Sequence, residues 1–231
     1  MTLDLVRLPK AELHLHIEGT LEPETVMELA DANRVALPYA DEDALRAAYS
    51  FGDLQEFLNL YYAAMTTLKT AGDFYTMASR YYARAEAQGV KHVEIFLDPQ
   101  AHTARGVPFE VMLEGVAQAV EDAETEHGIT GGIIACILRD RPVAEAMDTY
   151  EHVLRHRDQF LGIGLDSAER PYPPELFADV FARAGRDGFK RVAHAGEEGP
   201  PAFITTALDV LGVDRIDHGI RAAEDLELVA R

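Results

Sequence analysis

The chain has 231 residues, of which 48% are hydrophobic and 26% are charged, a composition typical of a globular protein with one large core. It contains 40 acidic against 21 basic side chains, so the formal net charge is -19. Such a charge repels phosphate backbones and anionic lipids, which argues against nucleic-acid and membrane partners. The single cysteine, Cys136, cannot form an intramolecular disulfide, and no apolar run approaches the ~20 residues that span a bilayer. We therefore expect a cytoplasmic location.

Six short segments rich in Val, Ile and Leu alternate with longer segments of helical periodicity. The predicted strands cover residues 12–18, 90–98, 132–139, 160–166, 190–197 and 215–220. Amphipathic helices are predicted at residues 108–127, 143–156, 174–187 and 201–211. This repeated strand-then-helix order predicts a parallel sheet covered by helices.

The long segment between the first two strands is predicted to contain several helices, at residues 23–33, 41–50, 53–68 and 71–88. Only one helix is needed for the crossover between two parallel strands. We therefore expect the remainder of residues 21–88 to form a helical lid over the strand ends.

The placement of polar residues separates the two architectures that fit this order, a doubly wound open sheet and a (β/α)8 TIM barrel. A dinucleotide-binding open sheet carries a Gly-rich turn after its first strand, whereas Gly19 stands alone there. A barrel instead builds its active site from the carboxyl ends of several strands. Polar residues occur at or just beyond the predicted strand ends, namely His16, Glu18, Asp98, Arg139, Asp166, His194, Glu197 and His218. We therefore predict an α/β fold of the TIM-barrel type.

The predicted strand-helix units are fewer than the eight of a closed barrel. We predict a single catalytic domain over residues 1–231 that is truncated after its sixth unit, with the last two barrel units absent. A fragment of a longer chain explains this better than an unusual open fold. We expect the polypeptide alone to be weakly stable or inactive, and its full-length parent to be active.

The first candidate site feature is the His14-Leu15-His16 segment of the first strand. Alternate residues of a strand share a face, so His14, His16 and Glu18 are predicted to point the same way. Two imidazoles at this spacing are a ready pair of metal ligands, the alternative being hydrogen-bonded core histidines.

The fifth and sixth strands supply the other candidates. His194 at the fifth strand end can be a third metal ligand, and Glu197 in the following turn can carry a proton to or from a substrate. His218 ends the sixth strand, where it can orient or deprotonate a water. The alternatives are a polar turn before a helix and a structural histidine. The other histidines lie within a strand, on loops or on helix surfaces, lack partner spacing and are predicted to be structural: His92, His102, His127, His152 and His156.

Three imidazoles suit Zn²⁺, although Fe(II), Co(II) and Ni(II) also bind such ligands. A catalytic zinc lowers the pKa of a water to about 7 and favours hydrolysis at carbon or phosphorus. Phosphate substrates usually require Arg or Lys clusters, so we expect a neutral or cationic small molecule instead. Arg139 can bind that substrate or pair with Asp140.

Three motifs together closely resemble the adenosine/adenine deaminase family. They are LPKAELHLH with EGTLEP (residues 8–16 and 18–23), HAGE (residues 194–197) and RIDHG (residues 215–219), and the similarity extends to residues 57–58 and 73–74. The resemblance implies a metal-dependent hydrolase barrel with one Zn²⁺ per subunit, which replaces the 6-amino group of a purine by oxygen. It implies that His14, His16 and His194 bind zinc, that Glu197 protonates the purine N1, and that His218 positions and activates the attacking hydroxide. The family's fourth zinc ligand belongs to an Asp-Asp pair that has no counterpart in this sequence.

Within the family, the sequence resembles the adenine deaminase branch. That branch reads Glu-Gly-Thr-Leu-Glu-Pro, as residues 18–23 do, where adenosine deaminases carry Asp-Gly, and the longer carboxylate of Glu18 would occupy space that a ribose needs. Glu169 would accept a hydrogen bond from the N9–H or N3 edge of a free base. The predicted reaction is hydrolysis of adenine to hypoxanthine and ammonia in purine salvage, by an enzyme that could be a homo-oligomer.

Several alternatives stay open at this point. The substrate could be adenosine or an N6-substituted adenine, or the chain could be another mononuclear amidohydrolase. A non-catalytic fragment that binds purines or partners is the third reading, and the retained histidines and Glu197 argue against it. Binuclear relatives need a carboxylated Lys after the fourth strand, and the Asp166-Ser167-Ala168 segment offers none.

Overall fold

The alternation of strands and helices expected from the sequence is present in the computed structural model, which describes residues 5–6, 8–52 and 54–231. Its strands are β1 (Lys10–His16), β2 (Val90–Leu97), β3 (Thr130–Leu138), β4 (Phe160–Asp166), β5 (Lys190–Ala195) and β6 (Arg215–His218). Its helices are α1 (Pro23–Ala32), α2 (Glu42–Ala48), α3 (Leu54–Met65), α4 (Ala71–Ala87), α5 (Pro99–Thr103), α6 (Phe109–His127), α7 (Val143–Arg155), α8 (Ala178–Arg186), α9 (Pro201–Thr206) and α10 (Leu226–Ala230). Asp53, the first residue of the predicted third helix, lies outside the described residues. The described part of the chain contains no helix whose length and apolar character would let it cross a bilayer.

The strands follow one another in the sheet in the order β1-β2-β3-β4-β5-β6. The pairs β3–β4, β4–β5 and β5–β6 are parallel, as the strand-then-helix order predicts. Each parallel pair needs a crossover, and α7, α8 and α9 follow β3, β4 and β5 along the chain for this purpose. Parallel pairing brings the carboxyl ends of these strands, with the polar residues that follow them, to one edge of the sheet.

The chain divides into two compact units, Met1–Ile95 with His102–Gly131 and Phe96–Ala101 with Gly132–Arg231. In the first unit α4 packs closely against α6. The approach requires glycine at position 115, because a Cβ there would lie 2.1 Å from the Ala71 carbonyl oxygen. The single-domain organisation and the lid at residues 21–88 stay predictions.

The second unit has an apolar core built on its strands. β3 is buried continuously from Ile133 to Leu138, as expected for a strand covered on both faces. Its side chains contribute to a buried cluster that consists of Phe96, Ile134, Cys136 and Val192. The register aligns the strand ends, since Leu138 pairs with Asp166 and His194 with Asp217. The packing of this core therefore sets the positions of the strand ends and of the side chains that they carry.

Candidate functional site

In the first unit, β1 presents the two histidines of the His14-Leu15-His16 segment side by side. Their ring centroids are 5.7 Å apart and the ring planes are inclined by 56°. His14 is exposed and His16 is half-buried. Two residues separated by one in a strand share a face, which explains this placement. The pair has the spacing and accessibility expected of two metal ligands.

Glu18 does not lie in the strand, so the predicted strand end at residue 18 is wrong. β1 ends at His16, and Ile17–Thr20 form a single 3-10 turn, in which the Thr20 hydroxyl donates to the Ile17 carbonyl at 2.7 Å. The apolar-polar alternation continues into this turn, and alternation alone cannot reveal the bonds that close it. The turn buries Glu18, which is only 1% exposed.

The prediction that His102 lies on a loop or helix surface without a partner is wrong. His102 belongs to α5, is fully buried and packs edge-on against Phe74, with ring centroids 4.8 Å apart. Its Nε2 lies 3.0 Å from Glu18 Oε1, and its Nδ1 lies 2.6 Å from Arg105 Nη2. Arg105 Nη2 also donates to the Leu68 carbonyl at 2.9 Å. Burial lowers the pKa of the Arg105 guanidinium, and the charge of Glu18 opposes that shift.

In the second unit, His194 near the end of β5 has a defined tautomer. Its Nδ1 lies 3.1 Å from the Leu165 carbonyl oxygen, and because a carbonyl only accepts, Nδ1 carries the proton. The lone pair of the neutral ring is then on Nε2, which is the state that a metal-binding histidine adopts. The unprotonated Nε2 of His194 therefore fits the role of a metal ligand.

Glu197, which follows β5, and His218, the last residue of β6, come together at the ends of these two strands. The Glu197 carboxylate oxygen Oε2 lies 3.3 Å from His218 Nε2. The rings of His194 and His218 have centroids 4.9 Å apart. His218 has a φ of 66°, a left-handed conformation that costs energy for a non-glycine residue and that recurs at functional sites. A carboxylate and two imidazoles thus meet at the ends of two neighbouring strands.

The loop that carries Glu197 is held by the buried carboxylate of Glu169, which is 1% exposed. Glu169 Oε2 accepts the backbone N–H of Gly196 at 3.0 Å. Its Oε1 accepts the backbone N–H groups of Glu197 at 2.8 Å and Glu198 at 3.0 Å. Three converging N–H groups form a site for a negative charge. The predicted contact between Glu169 and a base stays a prediction, and both of its oxygens already accept backbone N–H groups.

Arg139, just beyond β3, is fully buried and hydrogen-bonds to backbone carbonyl groups of the second unit. Its Nη1 donates to the His194 carbonyl at 2.8 Å and its Nε donates to the Tyr172 carbonyl at 2.9 Å. Burial lowers the pKa of this guanidinium, while the charges of Glu169 and neighbouring acids oppose the shift. These backbone contacts differ from both roles considered from the sequence, substrate binding and pairing with Asp140.

Two buried aspartates lie at the ends of strands in the second unit. Asp98 is 4% and Asp166 is 2% exposed, and each offers a carboxylate oxygen within 4.8 Å of the other. Carboxylates this close can together bind a cation. The sequence places both at strand ends, but neither was assigned a role from it.

Two side chains with no functional role predicted from the sequence lie in the segment that connects β2 to α6, His102 within α5 and Arg105 directly after that helix. In a barrel that location is itself a signal of function. The local sequence around His102 predicts no partner for it, because its partner Glu18 is 84 positions away.

Comparisons with known proteins agree on one family. The sequence profile described as adenosine deaminase matches residues 9–231. An adenine deaminase from Streptomyces coelicolor is 56% identical over 227 residues, which cover 98% of this chain and 67% of the relative. The crystal structure of an adenine deaminase from Arthrobacter aurescens superposes with a TM-score of 0.92 at 51% identity, covering 96% of this chain and 68% of that one. An amidohydrolase from Burkholderia ambifaria with bound Zn has a TM-score of 0.89 at 33% identity, covering 98% and 63%.

These matches confirm the predicted family resemblance and the predicted fold class, a TIM barrel of the metal-dependent hydrolase type. They also confirm the prediction of an adenine deaminase-like hydrolase. The chain spans about two thirds of the length of the curated relatives it matches. The roles of its site residues are therefore inferred from the side chains that each of the two units carries.

Proposed function

The chain belongs to the adenosine deaminase family, and from this premise we propose that its full-length protein hydrolyses adenine to hypoxanthine and ammonia. The observation that supports this most strongly is the meeting of Glu197, His218 and His194 at the ends of β5 and β6. A carboxyl group beside two imidazoles supplies both a proton donor and a proton acceptor, which hydrolysis of an amidine requires. The curated relatives at more than half identity are adenine deaminases, which favours adenine over other 6-aminopurines.

We propose that His14, His16 and His194 hold one Zn²⁺ per subunit. The side-by-side rings of β1 and the tautomer of His194 support this assignment, as does the bound Zn of the Burkholderia relative. When bound, a divalent metal supplies an activated water for attack at carbon. Imidazole ligands also accept Fe(II), Co(II) and Ni(II), so metal analysis of the purified protein tests the identity of the ion.

The proposed proton transfers use two residues of the second unit. His218 holds the attacking water and takes up its proton, while Glu197 donates a proton to N1 of the purine ring. The C6–oxygen bond forms and the C6–nitrogen bond breaks, while the amino group takes the proton held by His218 and leaves as ammonia. The remaining proton of the added oxygen returns to Glu197, whose carboxylate lies 3.3 Å from His218, as the C6 carbonyl forms.

Glu18 and Glu169 are the proposed substrate-binding carboxylates. Glu18 is the candidate for direct contact with the base, because its burial next to the HxH strand end places an acceptor there. Glu169 accepts three backbone N–H groups, so its contribution is expected through the loop that carries Glu197. The proposal includes a role in purine salvage and a cytoplasmic location, and a homo-oligomer stays a prediction that light scattering can test.

The test is ultraviolet monitoring of adenine and adenosine with the zinc-loaded full-length protein. We expect conversion of adenine to hypoxanthine and a loss of about 10²- to 10⁴-fold in kcat for Glu197→Gln. The matched control is Glu198→Gln, an exposed neighbouring carboxylate whose backbone N–H stays in place, and it should keep wild-type activity. Conversion of adenosine alone would overturn the substrate, and turnover of neither compound would overturn the reaction.

A further inference from the structure

A hydrogen-bonded chain in the first unit joins the buried Glu18, through the buried His102, to the half-buried guanidinium of Arg105. We call Arg105, His102 and Glu18 the Glu18 triad. The side chains of His102 and Glu18 are both fully buried, and the contact between them measures 3.0 Å. These side-chain hydrogen bonds lie outside the backbone pairing of the helices and strands, and no step of the proposed reaction uses His102 or Arg105.

The geometry fixes the direction of each hydrogen bond in the Glu18 triad. A guanidinium has only donors, so Arg105 Nη2 donates to His102 Nδ1 at 2.6 Å. Nδ1 therefore carries no proton, and the proton of the neutral ring is on Nε2. His102 Nε2–H then donates to Glu18 Oε1 at 3.0 Å. The positive charge of Arg105 polarises the imidazole and strengthens this donor.

Arg105 and His102 are themselves held by further contacts. Arg105 Nη2 also donates to the Leu68 carbonyl at 2.9 Å, and the ring of His102 packs edge-on against Phe74. The imidazole consequently has little freedom to rotate, and it fixes one oxygen of Glu18. A carboxylate held in this way can present an acceptor at a defined position, which a mobile glutamate cannot do.

An acceptor at a fixed position can distinguish a free purine base from a nucleoside. A free base carries an N–H group on its five-membered ring, whereas a nucleoside has a carbon substituent on that nitrogen and no proton to donate. Sites built to bind a substrate N–H discriminate strongly against analogues that lack it, because the buried acceptor is then left unpaired.

We propose that His102 and Arg105 are positioning residues that set the preference for a free base by holding the Glu18 carboxylate. The proposal rests on the proposed function, in which Glu18 contacts the base. It assigns a role in selectivity to two side chains that act through Glu18.

The test compares kcat and KM for adenine and adenosine in the full-length protein. For His102→Leu we expect a higher KM for adenine and a fall of about tenfold in the adenine-to-adenosine ratio of kcat/KM, the effect of one hydrogen bond to a charged group. His102→Gln can accept from Arg105 through its oxygen and donate to Glu18 through its amide, so it should restore most of the ratio. A residue with a merely structural role would lower kcat for both substrates and leave the ratio unchanged.

The matched control is His127→Gln. His127 also pairs with a glutamate, Glu86, at 2.7 Å, but this pair is on the surface, with side chains 24% and 48% exposed. We expect wild-type constants for this variant. If His102→Leu does not fold, Arg105→Lys provides a second perturbation, because an ammonium lacks the planar fork of the guanidinium, and a fall of about threefold in the ratio is expected.

The possible outcomes distinguish a failure of this inference from a failure of the proposed function. A wild-type protein that deaminates adenine, together with unchanged ratios in the His102 and Arg105 variants, overturns only the role of the Glu18 triad. A wild-type protein without adenine turnover overturns the proposed function and this inference with it. A reduced ratio in His102→Leu that His102→Gln restores supports both.

Discussion

Two buried glutamates, one in each unit, are stabilised by different kinds of partner. Glu18 and Glu169 are each 1% exposed. Glu18 receives a hydrogen bond from a side chain, His102, which is supported by Arg105. Glu169 instead accepts three backbone N–H groups of residues 196–198. Both arrangements offset the cost of burying a carboxylate, which is large unless the charge is hydrogen-bonded.

The difference indicates what each carboxylate can do. A carboxylate bound to three N–H groups fixes the course of the main chain, so Glu169 determines where the loop places Glu197. A carboxylate that a neighbouring imidazole holds in place is itself the group that is fixed, so Glu18 is suited to contact a ligand. Substitutions at Glu169 should therefore affect the rate of the chemical step, and substitutions at Glu18 should affect the choice of substrate.

Among the substitutions that probe this difference between Glu18 and Glu169, the largest effect is expected for Glu169→Gln. An amide has one acceptor oxygen and places an NH2 group against a backbone N–H, so the loop that carries Glu197 should shift. We expect a fall of about 10²-fold in kcat with a nearly unchanged KM for adenine, because hydrogen bonds to charged groups contribute about 1.5–3 kcal/mol. Steady-state kinetics measures both constants. A raised KM with normal kcat would instead support direct contact between Glu169 and the base, and the double variant with Glu197→Gln should be no slower than Glu197→Gln alone.

Gly199→Ala tests the same loop without removing the carboxylate. A Cβ at this position would lie 2.3 Å from Glu169 Oε2 and 2.4 Å from Phe203 Cδ2. We expect the free energy of unfolding to fall by about 2 kcal/mol, as overpacking usually costs 1–3 kcal/mol. Urea denaturation measures this, with Gly72→Ala as control, since a Cβ there would meet its nearest atom at 3.7 Å. Equal stability of the two variants would contradict close packing of Glu169 against this loop.

Glu18→Asp tests the side-chain arrangement of the first unit. Loss of one methylene withdraws the carboxylate from His102 Nε2, which it now meets at 3.0 Å. We expect the adenine-to-adenosine ratio of kcat/KM to fall about tenfold. The exposed Glu24→Asp is the control and should leave the ratio unchanged. A variant that loses kcat for both substrates equally would assign Glu18 to the chemical step and remove the contrast with Glu169.

The smallest effect is expected for Glu86→Gln. Glu86 pairs with His127 at 2.7 Å on the surface of the first unit, where solvent screens the interaction. We expect the free energy of unfolding to change by no more than about 0.5 kcal/mol, measured by urea denaturation. A loss above about 2 kcal/mol would show that burial does not distinguish this pair from that of His102 with Glu18.

Much of the fold follows from the sequence because its signals are local. Strands such as β3 and β4 are largely apolar runs, and α7 begins and ends within one residue of its predicted bounds. The α8 helix begins at Ala178 rather than at residue 174, because Pro174–Phe177 form a 3-10 turn. The end of β1 was misplaced because the alternation of the strand continues through Ile17 and Glu18 into a 3-10 turn. That turn is closed by the Thr20 hydroxyl, a bond that leaves no mark on hydrophobic periodicity.

The candidate site is predictable only in part, for a related reason. Local sequence pattern predicts the spacing of His14 and His16. It also predicts the strand-end positions of His194 and His218. The partners of Glu18 and Glu169 were not, because His102 lies 84 positions from Glu18 and the backbone N–H groups at Glu169 have no sequence signature. Environment, rather than residue type, separates these two carboxylates.

At position 218 the left-handed backbone conformation lowers the stability of the fold, whereas the proposed chemistry needs the histidine side chain. Glycine adopts a φ of 66° without cost, whereas histidine there sacrifices of order 1–2 kcal/mol of folding free energy. A search for more thermostable sequences would therefore favour glycine at position 218 and would discard the imidazole proposed to take up the proton. Stability-based engineering of this fold should hold that residue fixed and seek its gains elsewhere.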